Sequence, residues 1–432
     1  MKKKLLLLIF LLISALSIQK ITATDYIASA SHDGTVKIWD MSGNLVTELP
    51  RATGISALAS SKNGKYLAVG VMGTKHQIKI YDLSDIKEPR KLRSIWLIPD
   101  SSAHSLSFSN DPEISYLAAT KEKYIKIWDI SDKEAPREIF SPSIYDDIYS
   151  EEKTRPLKKK YRSTLFHPKD PNTLLITRED IAYLLNIVTK KYKIVEHNGK
   201  ILSAAFNPEG TLFAFLSSID KYNIRTKVLI KDYENPKKTK SFKIGPSSYG
   251  RGLSNRYFDS ITFGSPTGKY LATLNKIRSF NFITIFQKIN QKWEVIINKI
   301  EKREDIIKSK KMHQIGRNNS YSCVTFGGPQ RGLLFAGINT GIIKVWDSAQ
   351  DWKNIKTFKG HTRQVNCIVP INQDFEKAYE EKYQDISERT EFTKKMLEEK
   401  PQLQQKILVG PKKGPKKELK AFKSLLIETD KK

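Results

Sequence analysis

The feature that most constrains the fold is a short pattern that returns seven times along the chain. Each copy is an apolar strand that ends in a triplet, and the third residue of the triplet is most often aspartate. These third residues are Asp40, Asp82, Asp129, Asn186, Asp232, Gln287 and Asp347. Their spacing ranges from 42 to 60 residues. A repeat of this length predicts a row of similar supersecondary units that pack against one another.

The first copy, from Tyr26 to Asp40, is the clearest. Its alternating apolar residues predict two strands, residues 26–31 and 35–40, and the pair Asp33-Gly34 predicts the tight turn between them. Upstream of every later triplet stands an apolar strand, a turn with Pro, Gly or Asn, and another apolar strand. Most of the chain is therefore expected to be built from β-strands.

Two details of the repeat carry a family resemblance. Trp-Asp closes the first, third and seventh copies, at Trp39, Trp128 and Trp346, and one Gly-His pair occurs at Gly360-His361. With a period in the forties, these features resemble the WD40 repeat, in which four strands form one blade of a β-propeller. The resemblance covers residues 26 to about 371. It implies an all-β fold, a seven-bladed WD40-type β-propeller.

The end of the repeat region predicts how the ring closes. Residues 356–371 contain an outer strand, the Gly-His pair and one more inner strand, and no ordinary second and third strands follow directly. The first copy lacks an inner strand if the first 23 residues are removed. We therefore expect residues 365–371 to complete the first blade, because this pairing removes both open strand edges.

The first 23 residues predict a secretory signal peptide. They combine a basic start, an apolar run at residues 5–13 and two candidate cleavage points, after Ser17 and after Ala23. We expect export to the periplasm or extracellular space if the source is bacterial, and to the secretory pathway if it is eukaryotic. Two other interpretations stay open. One is an uncleaved membrane anchor, and the other is a strand of the first blade, because residues 13–16 match residues 55–58.

The resemblance also implies a hydrogen-bonded set inside the blade, made of Ser31, Asp33, Trp39 and His361. Serine, histidine and aspartate together also occur in hydrolases. No Gly-x-Ser-x-Gly elbow accompanies them, so we interpret the set as structural and expect no catalytic residues. Buried polar groups that satisfy one another in this way specify a single packing.

Signals for metals, cofactors and disulfides are weak. The other six histidines have no ligand spacing such as His-x3-His, and no glycine-rich phosphate loop is present, so we expect no metal and no cofactor. Cys323 and Cys367 fall at nearly equivalent inner-strand positions of neighbouring blades. We expect buried free thiols there and not a disulfide, because the separation of two blades at this depth exceeds disulfide geometry.

The net charge of +28 favours an acidic partner or surface. Three long insertions, residues 141–160, 245–257 and 300–319, fall in the same outer-to-inner connection, so in a propeller they emerge on one rim. Their basic residues form the candidate partner-binding set: Arg155, Lys158, Lys159, Lys160, Arg251, Arg256, Lys310 and Lys311. The other interpretation is solvated loops in a lysine-rich protein. Nucleic acid is not expected, because the chain has no recognition helix, RNP-like motif or zinc finger.

Residues 373–432 depart from the repeat. A run rich in Glu, Lys and Gln at 374–400 predicts one amphipathic helix, which ends at Pro401, and a basic Gly-Pro segment follows. The chain thus divides into a signal peptide (1–23), a propeller (24–372) and a helical and basic extension (373–432).

The expected function is an exported, non-catalytic scaffold that binds acidic partner proteins through loops on one propeller face. The first alternative is a propeller enzyme, a hydrolase or isomerase, with its site at the central channel. The second is a membrane-tethered scaffold, which requires that the N-terminal segment stays uncleaved.

Overall fold

A computed structural model describes residues 25–71, 77–96, 103–111, 116–121, 124–132, 135–140, 160–178, 181–195, 200–218, 226–244, 260–264, 267–277, 280–290, 292–297, 321–328 and 332–372. The predicted signal peptide, nearly all of the three predicted insertions and the predicted C-terminal helix lie outside the described residues. A second compact unit, Phe375–Lys432, also lies wholly outside them.

Seven antiparallel sheets of four strands each form the blades, and every sheet has the order inner, second, third, outer. The inner strands are β28 (Val365–Asn372), β4 (Ile55–Ser60), β8 (Ser105–Phe108), β12 (Tyr161–Phe166), β16 (Lys200–Phe206), β20 (Ser260–Gly264) and β24 (Tyr321–Gly327). The second strands are β1 (Asp25–Ser31), β5 (Tyr66–Val71), β9 (Tyr116–Lys121), β13 (Thr173–Arg178), β17 (Leu212–Ser218), β21 (Tyr270–Ile277) and β25 (Leu333–Ile338).

The third strands are β2 (Val36–Asp40), β6 (Gln77–Asp82), β10 (Tyr124–Asp129), β14 (Ala182–Asn186), β18 (Thr226–Asp232), β22 (Phe280–Ile289) and β26 (Ile342–Asp347). The outer strands are β3 (Leu45–Leu49), β7 (Arg90–Trp96), β11 (Arg137–Phe140), β15 (Tyr192–Val195), β19 (Thr239–Ile244), β23 (Lys292–Ile297) and β27 (Lys353–Lys359). A 3-10 helix spans Ser348–Gln350. Six of the seven sequence triplets are the last three residues of a third strand, which confirms the repeat assignment.

The ring closes where β28 enters the first blade. β28 pairs antiparallel with β1, from Asp25 opposite Asn372 to Ser31 opposite Val365, and its inner-strand neighbours are β4 and β24. The prediction that residues 365–371 complete blade 1 is confirmed. β28 tolerates Pro370 because an inner strand is a sheet edge, where a missing backbone N–H leaves no ladder bond unmade.

The hydrophobic core lies between the blades. Each of its buried clusters combines residues of two neighbouring sheets, because both faces of every blade are covered. At the closure, Ile27 and Trp39 of blade 1 pack with Phe335 and Val345 of blade 7. Burying a side chain of this size contributes roughly 1.5–3 kcal/mol relative to exposure. The described residues contain no helix long and apolar enough to cross a membrane.

Candidate functional site at the blade closure

A chain of four polar side chains crosses the closure. The indole N–H of Trp39 donates to the hydroxyl of Ser29 over 2.8 Å. The same hydroxyl lies 2.8 Å from Nε2 of His361, and Nδ1 of His361 lies 3.1 Å from Oδ2 of Asp33. The chain therefore ties the second and third strands of blade 1 to the residues that lead into β28.

The donors present decide where the protons lie. The indole occupies one lone pair of Ser29 Oγ, and the carbonyl of Lys37 is 3.5 Å away, too far to compete for the hydroxyl proton. We therefore assign that proton to the bond with Nε2 of His361, which makes Nε2 an acceptor and leaves the ring proton on Nδ1. That ring proton faces Asp33 and the hydroxyl oxygen of Thr35, which is 3.0 Å from Nδ1.

Asp33 is the anchor of the chain. Its Oδ1 accepts hydrogen bonds from the hydroxyl of Thr35 at 2.6 Å and from the Thr35 backbone N–H at 2.9 Å. Its Oδ2 accepts the backbone N–H of Thr362 at 2.9 Å. The following residue, Gly34, has φ +84°, and a Cβ there would lie 2.4 Å from the carbonyl oxygen of Ala52. Only glycine fits this turn without strain.

Burial and hydrogen bonding set the charges of the pair. Burial raises the pKa of Asp33, but hydrogen bonds from Thr35 and Thr362, with a contribution from His361, outweigh burial and hold that pKa well below its usual value. Burial lowers the pKa of His361 and outweighs the attraction of Asp33. At neutral pH the pair is therefore a carboxylate and a neutral imidazole, which agrees with the proton assignment.

The serine of this chain is Ser29, and the prediction of Ser31 for that position is wrong. Ser29 lies opposite Lys37 and diagonally across from Trp39, which lies opposite Ile27. The indole reaches this diagonal neighbour, whereas Ser31 is two residues further along β1. Ser31 instead donates to the carbonyl of Arg363 at 3.0 Å and accepts the backbone N–H of Asp33. Asp33, Trp39 and His361 do come together.

Sequence reasoning also missed Thr35, which was placed in a predicted strand with no role. The signal was present, because a threonine two residues after a turn aspartate can bond its carboxylate locally. Thr35 belongs to the turn for this reason, and β2 starts at Val36.

The burial of the serine and histidine limits their chemistry. Ser29 has 0% of its surface exposed, and the side chain of His361 is also 0% exposed. A nucleophile must reach its substrate, and here every polar atom of both side chains already has a protein partner. The arrangement can hold the seam of the ring together, and it cannot receive a substrate in this conformation.

The glycine of the Gly-His pair has a packing reason. A Cβ at Gly360 would lie 2.8 Å from the Cη2 atom of Trp39, closer than carbon atoms approach in folded proteins. The ring of Trp39 also packs against Phe358, with 5.8 Å between ring centroids. Gly360 is thus required by the same indole that starts the hydrogen-bonded chain.

Polar side chains of the inner strands hold neighbouring blades together. Ser60 donates to the carbonyl of Pro370 at 2.5 Å, and Asn366 donates to the carbonyl of Ile55 at 3.0 Å. Ser107 accepts the backbone N–H of Phe166, and Ser260 donates to the carbonyl of Val324. Among the described inner-strand residues, these side chains have structural partners across the blade boundary.

A second histidine links blades 4 and 5. Nε2 of His167, which is buried, lies 2.9 Å from the carbonyl oxygen of Gly210. Its Nδ1 accepts the backbone N–H groups of Lys169 and Asp170, and its ring packs against Phe206 and Tyr233. The histidine spacing in the sequence gave no indication of this contact, because the partner is a backbone carbonyl 43 residues away.

Cys323 on β24 and Cys367 on β28 are both free thiols. Burial raises the pKa of Cys323 and raises that of Cys367 to about 11. Both thiols are therefore protonated and unreactive at neutral pH.

Of the eight predicted partner-binding residues, only Lys160 belongs to the described part of the chain. It is partly buried and immediately precedes β12. Arg155, Lys158, Lys159, Arg251, Arg256, Lys310 and Lys311 lie outside the described residues, so the set stays a prediction.

Comparisons with known proteins agree with this architecture. The family model for the WD domain, G-beta repeat, matches residues 16–40. The nuclear distribution protein PAC1 of Arthroderma otae is 39% identical over 59 residues, 13% of each chain. The transcriptional corepressor LEUNIG_HOMOLOG of Arabidopsis thaliana is 22% identical over 198 residues, 46% of this chain and 22% of that protein. The chain thus spans less than a quarter of either relative.

A crystal structure of a functionally unknown protein from Desulfotomaculum acetoxidans has a TM-score of 0.55 and 12% identity, over 81% of this chain and 100% of that one. At this identity the likeness concerns the fold alone. Seven four-stranded blades, the closing strand and the repeat match place the chain among the WD40-repeat β-propellers. The family match begins at residue 16, so residues 16–23 fit the repeat as well as the predicted signal peptide.

Proposed function

We propose that this protein is an exported, non-catalytic scaffold that binds acidic partner proteins at one end of the propeller. The supporting observation is where the three insertions begin and end. They follow the outer strands β11, β19 and β23 and precede the inner strands β12, β20 and β24. Because every blade has the same strand order, all three connections start and finish at the same end of the ring.

The charge of that end supports an acidic partner. Each insertion has more basic than acidic residues. The described strand ends on the same side add Lys121 at the end of β9, Arg178 at the end of β13, and Arg162 and Lys200 at the starts of β12 and β16. Basic groups concentrated on one side raise the rate of association with acidic partners and favour them over basic ones.

A scaffold agrees with how the polar side chains are used. The serine, histidine and aspartate that suggest a hydrolase are buried in the closure and bonded to one another. WD40 propellers commonly bind protein partners, and the closed ring offers a rigid frame for loops. Export rests on the predicted signal peptide.

A test of the proposal uses a fluorescein-labelled 20-residue oligoglutamate and the full chain at 150 mM salt. Reversing five charges of the insertions, Lys158, Lys159, Lys160, Lys310 and Lys311 to Glu, is expected to weaken binding at least about tenfold. The matched control reverses five exposed lysines at the opposite end, Lys62, Lys87, Lys237, Lys238 and Lys353, and is expected to change binding less than about twofold. Equal losses in both variants, or no binding of the oligoglutamate, would contradict the proposal.

A further inference from the structure

The outer edge of blade 4 differs from the other described rims in its exposed apolar residues. Val188, Tyr192 and Ile194 are 61%, 40% and 42% exposed. They are half of the six large apolar side chains with this degree of exposure in the described part of the chain, and they lie within seven residues of one another. Single exposed apolar residues are ordinary, whereas a cluster of them marks an interaction site.

These residues lie on and beside an open strand edge. β15 pairs with β14 on one side, with Tyr192 opposite Leu185 and Ile194 opposite Tyr183. It is the last strand of its sheet in the described structure. Tyr192 and Ile194 share one face of the sheet and Lys193 lies on the other, because neighbouring side chains in a strand alternate.

The turn before β15 is held in place by local hydrogen bonds. The side-chain oxygen of Asn186 accepts the backbone N–H groups of Val188 at 3.1 Å and Thr189 at 2.8 Å. The backbone N–H of Asn186 donates to the carbonyl of Lys191 at 2.8 Å. The edge is therefore presented in a fixed conformation, which lowers the entropy cost of adding a partner strand.

The charge of this edge is uncompensated within its hairpin. Residues 181–195 contain Lys190, Lys191 and Lys193 and no acidic residue. The outer hairpins of blades 1, 2 and 3 contain cross-strand ion pairs instead, Lys37 with Glu48, Arg90 with Asp82 at 3.8 Å, and Lys126 with Glu138 at 2.6 Å. Blade 4 thus combines an open edge, apolar contact area and positive charge.

We infer that the blade 4 rim, formed by Val188, Lys190, Lys191, Tyr192, Lys193 and Ile194, binds an extended acidic peptide as a fifth strand of the blade. In this mode the backbone of the peptide pairs with the open edge of β15. Its apolar side chains lie beside Tyr192 and Ile194, and its acidic side chains lie beside Lys193 on the other face. The sequence selected is an alternation of acidic and apolar residues. This surface is separate from the insertions, so the inference does not rest on them.

The test measures binding of a labelled ten-residue peptide of alternating Glu and Val to the full chain at 150 mM salt. Two control peptides have related compositions: one is scrambled into a Glu block and a Val block, and the other has Pro at alternate positions, which removes the N–H groups that a strand donates. We expect only the alternating peptide to bind tightly. We also expect its binding to slow hydrogen exchange of the β15 amides.

Variants separate this site from nonspecific attraction. K193E/I194S is expected to weaken binding at least about tenfold, as for a central contact residue. The matched control K243E/V295S makes the same kinds of change at exposed positions on β19 and β23, and is expected to change it less than about twofold. The five-charge insertion variant described above is expected to bind the alternating peptide normally. Equal binding of the control peptides, equal loss in both double variants, or no change in β15 hydrogen exchange would overturn the inference.

Discussion

The indole of Trp39 and the imidazole of His361 share one hydroxyl, that of Ser29, and their ring centroids lie 6.1 Å apart. Trp39 comes from the third strand of blade 1, and His361 precedes the strand that closes the ring. Two ends of the sequence separated by more than 300 residues therefore meet at a single buried oxygen. The stability of this protein is expected to depend strongly on that contact.

Replacing Ser29 by Ala is expected to lower the free energy of unfolding by about 2–3 kcal/mol, because it leaves the Trp39 N–H and Nε2 of His361 without partners in the core. Urea unfolding of the full chain measures the change. In a double-mutant cycle, S29A and H361A should show a coupling of about 1–2 kcal/mol. The same cycle with S31A in place of S29A is expected to show the smaller coupling. The reverse order would restore Ser31 to the chain.

Stability is expected to fall on the acid side because of His361. Its folded pKa is below the ordinary value of 6.5, so between those two values the unfolded chain binds more protons than the folded one. The stabilisation is present above pH 6.5 and is lost as the pH falls toward the folded pKa. The charged groups that face the ring are Asp33, Lys37 and Glu48, and burial outweighs the attraction of the two acids.

Comparing wild type with His361→Gln isolates this effect, because the other histidines titrate in both proteins. The difference in unfolding free energy between the two proteins should shrink as the pH is lowered from 7 to 5. A difference that stays constant over that range would mean that His361 titrates normally in the fold. Asp33 adds a further loss below its ordinary pKa of 3.8, since its folded pKa is also lowered.

Replacing Gly360 by Ala is expected to cost about 1–3 kcal/mol, because the new methyl group would overlap the Trp39 ring. The thermal midpoint of unfolding measures the loss. In a W39F background, which removes the atom that Gly360 would meet, the same substitution should cost clearly less. An equal cost in both backgrounds would place the strain in the backbone and not in the indole.

Export predicts a mature N-terminus at Ile18 or Thr24 when the full-length gene is expressed in a cell with a secretory pathway. Intact mass and N-terminal sequencing of the recovered protein give the answer. Removal of residues 1–23 leaves β1 complete, since that strand begins at Asp25. A protein that begins at Met1 would contradict cleavage and favour the anchor or extra-strand interpretation.

The blades were predictable because their signals are local. Alternation of apolar residues, turn pairs such as Asp33-Gly34 and the regular return of Trp-Asp are properties of short segments, and short segments set strand and turn preferences. Closure by residues 365–371 was also predictable, because an incomplete first repeat and a spare last strand complement each other. These inferences needed no distances between remote residues.

The tertiary structure decided what depends on register and exposure. Ser29 and Ser31 lie on the same strand of one sequence pattern, and only the register of β1 against β2 places Ser29 beside Trp39 and His361. His167 bonds a carbonyl of the next blade, which no spacing within the chain indicates. Tyr192 and Ile194 have the same alternation as buried strand residues elsewhere, so only their position on the outermost strand shows that they face solvent. Pattern along the chain fixes which elements form, and packing between elements fixes which of their side chains meet.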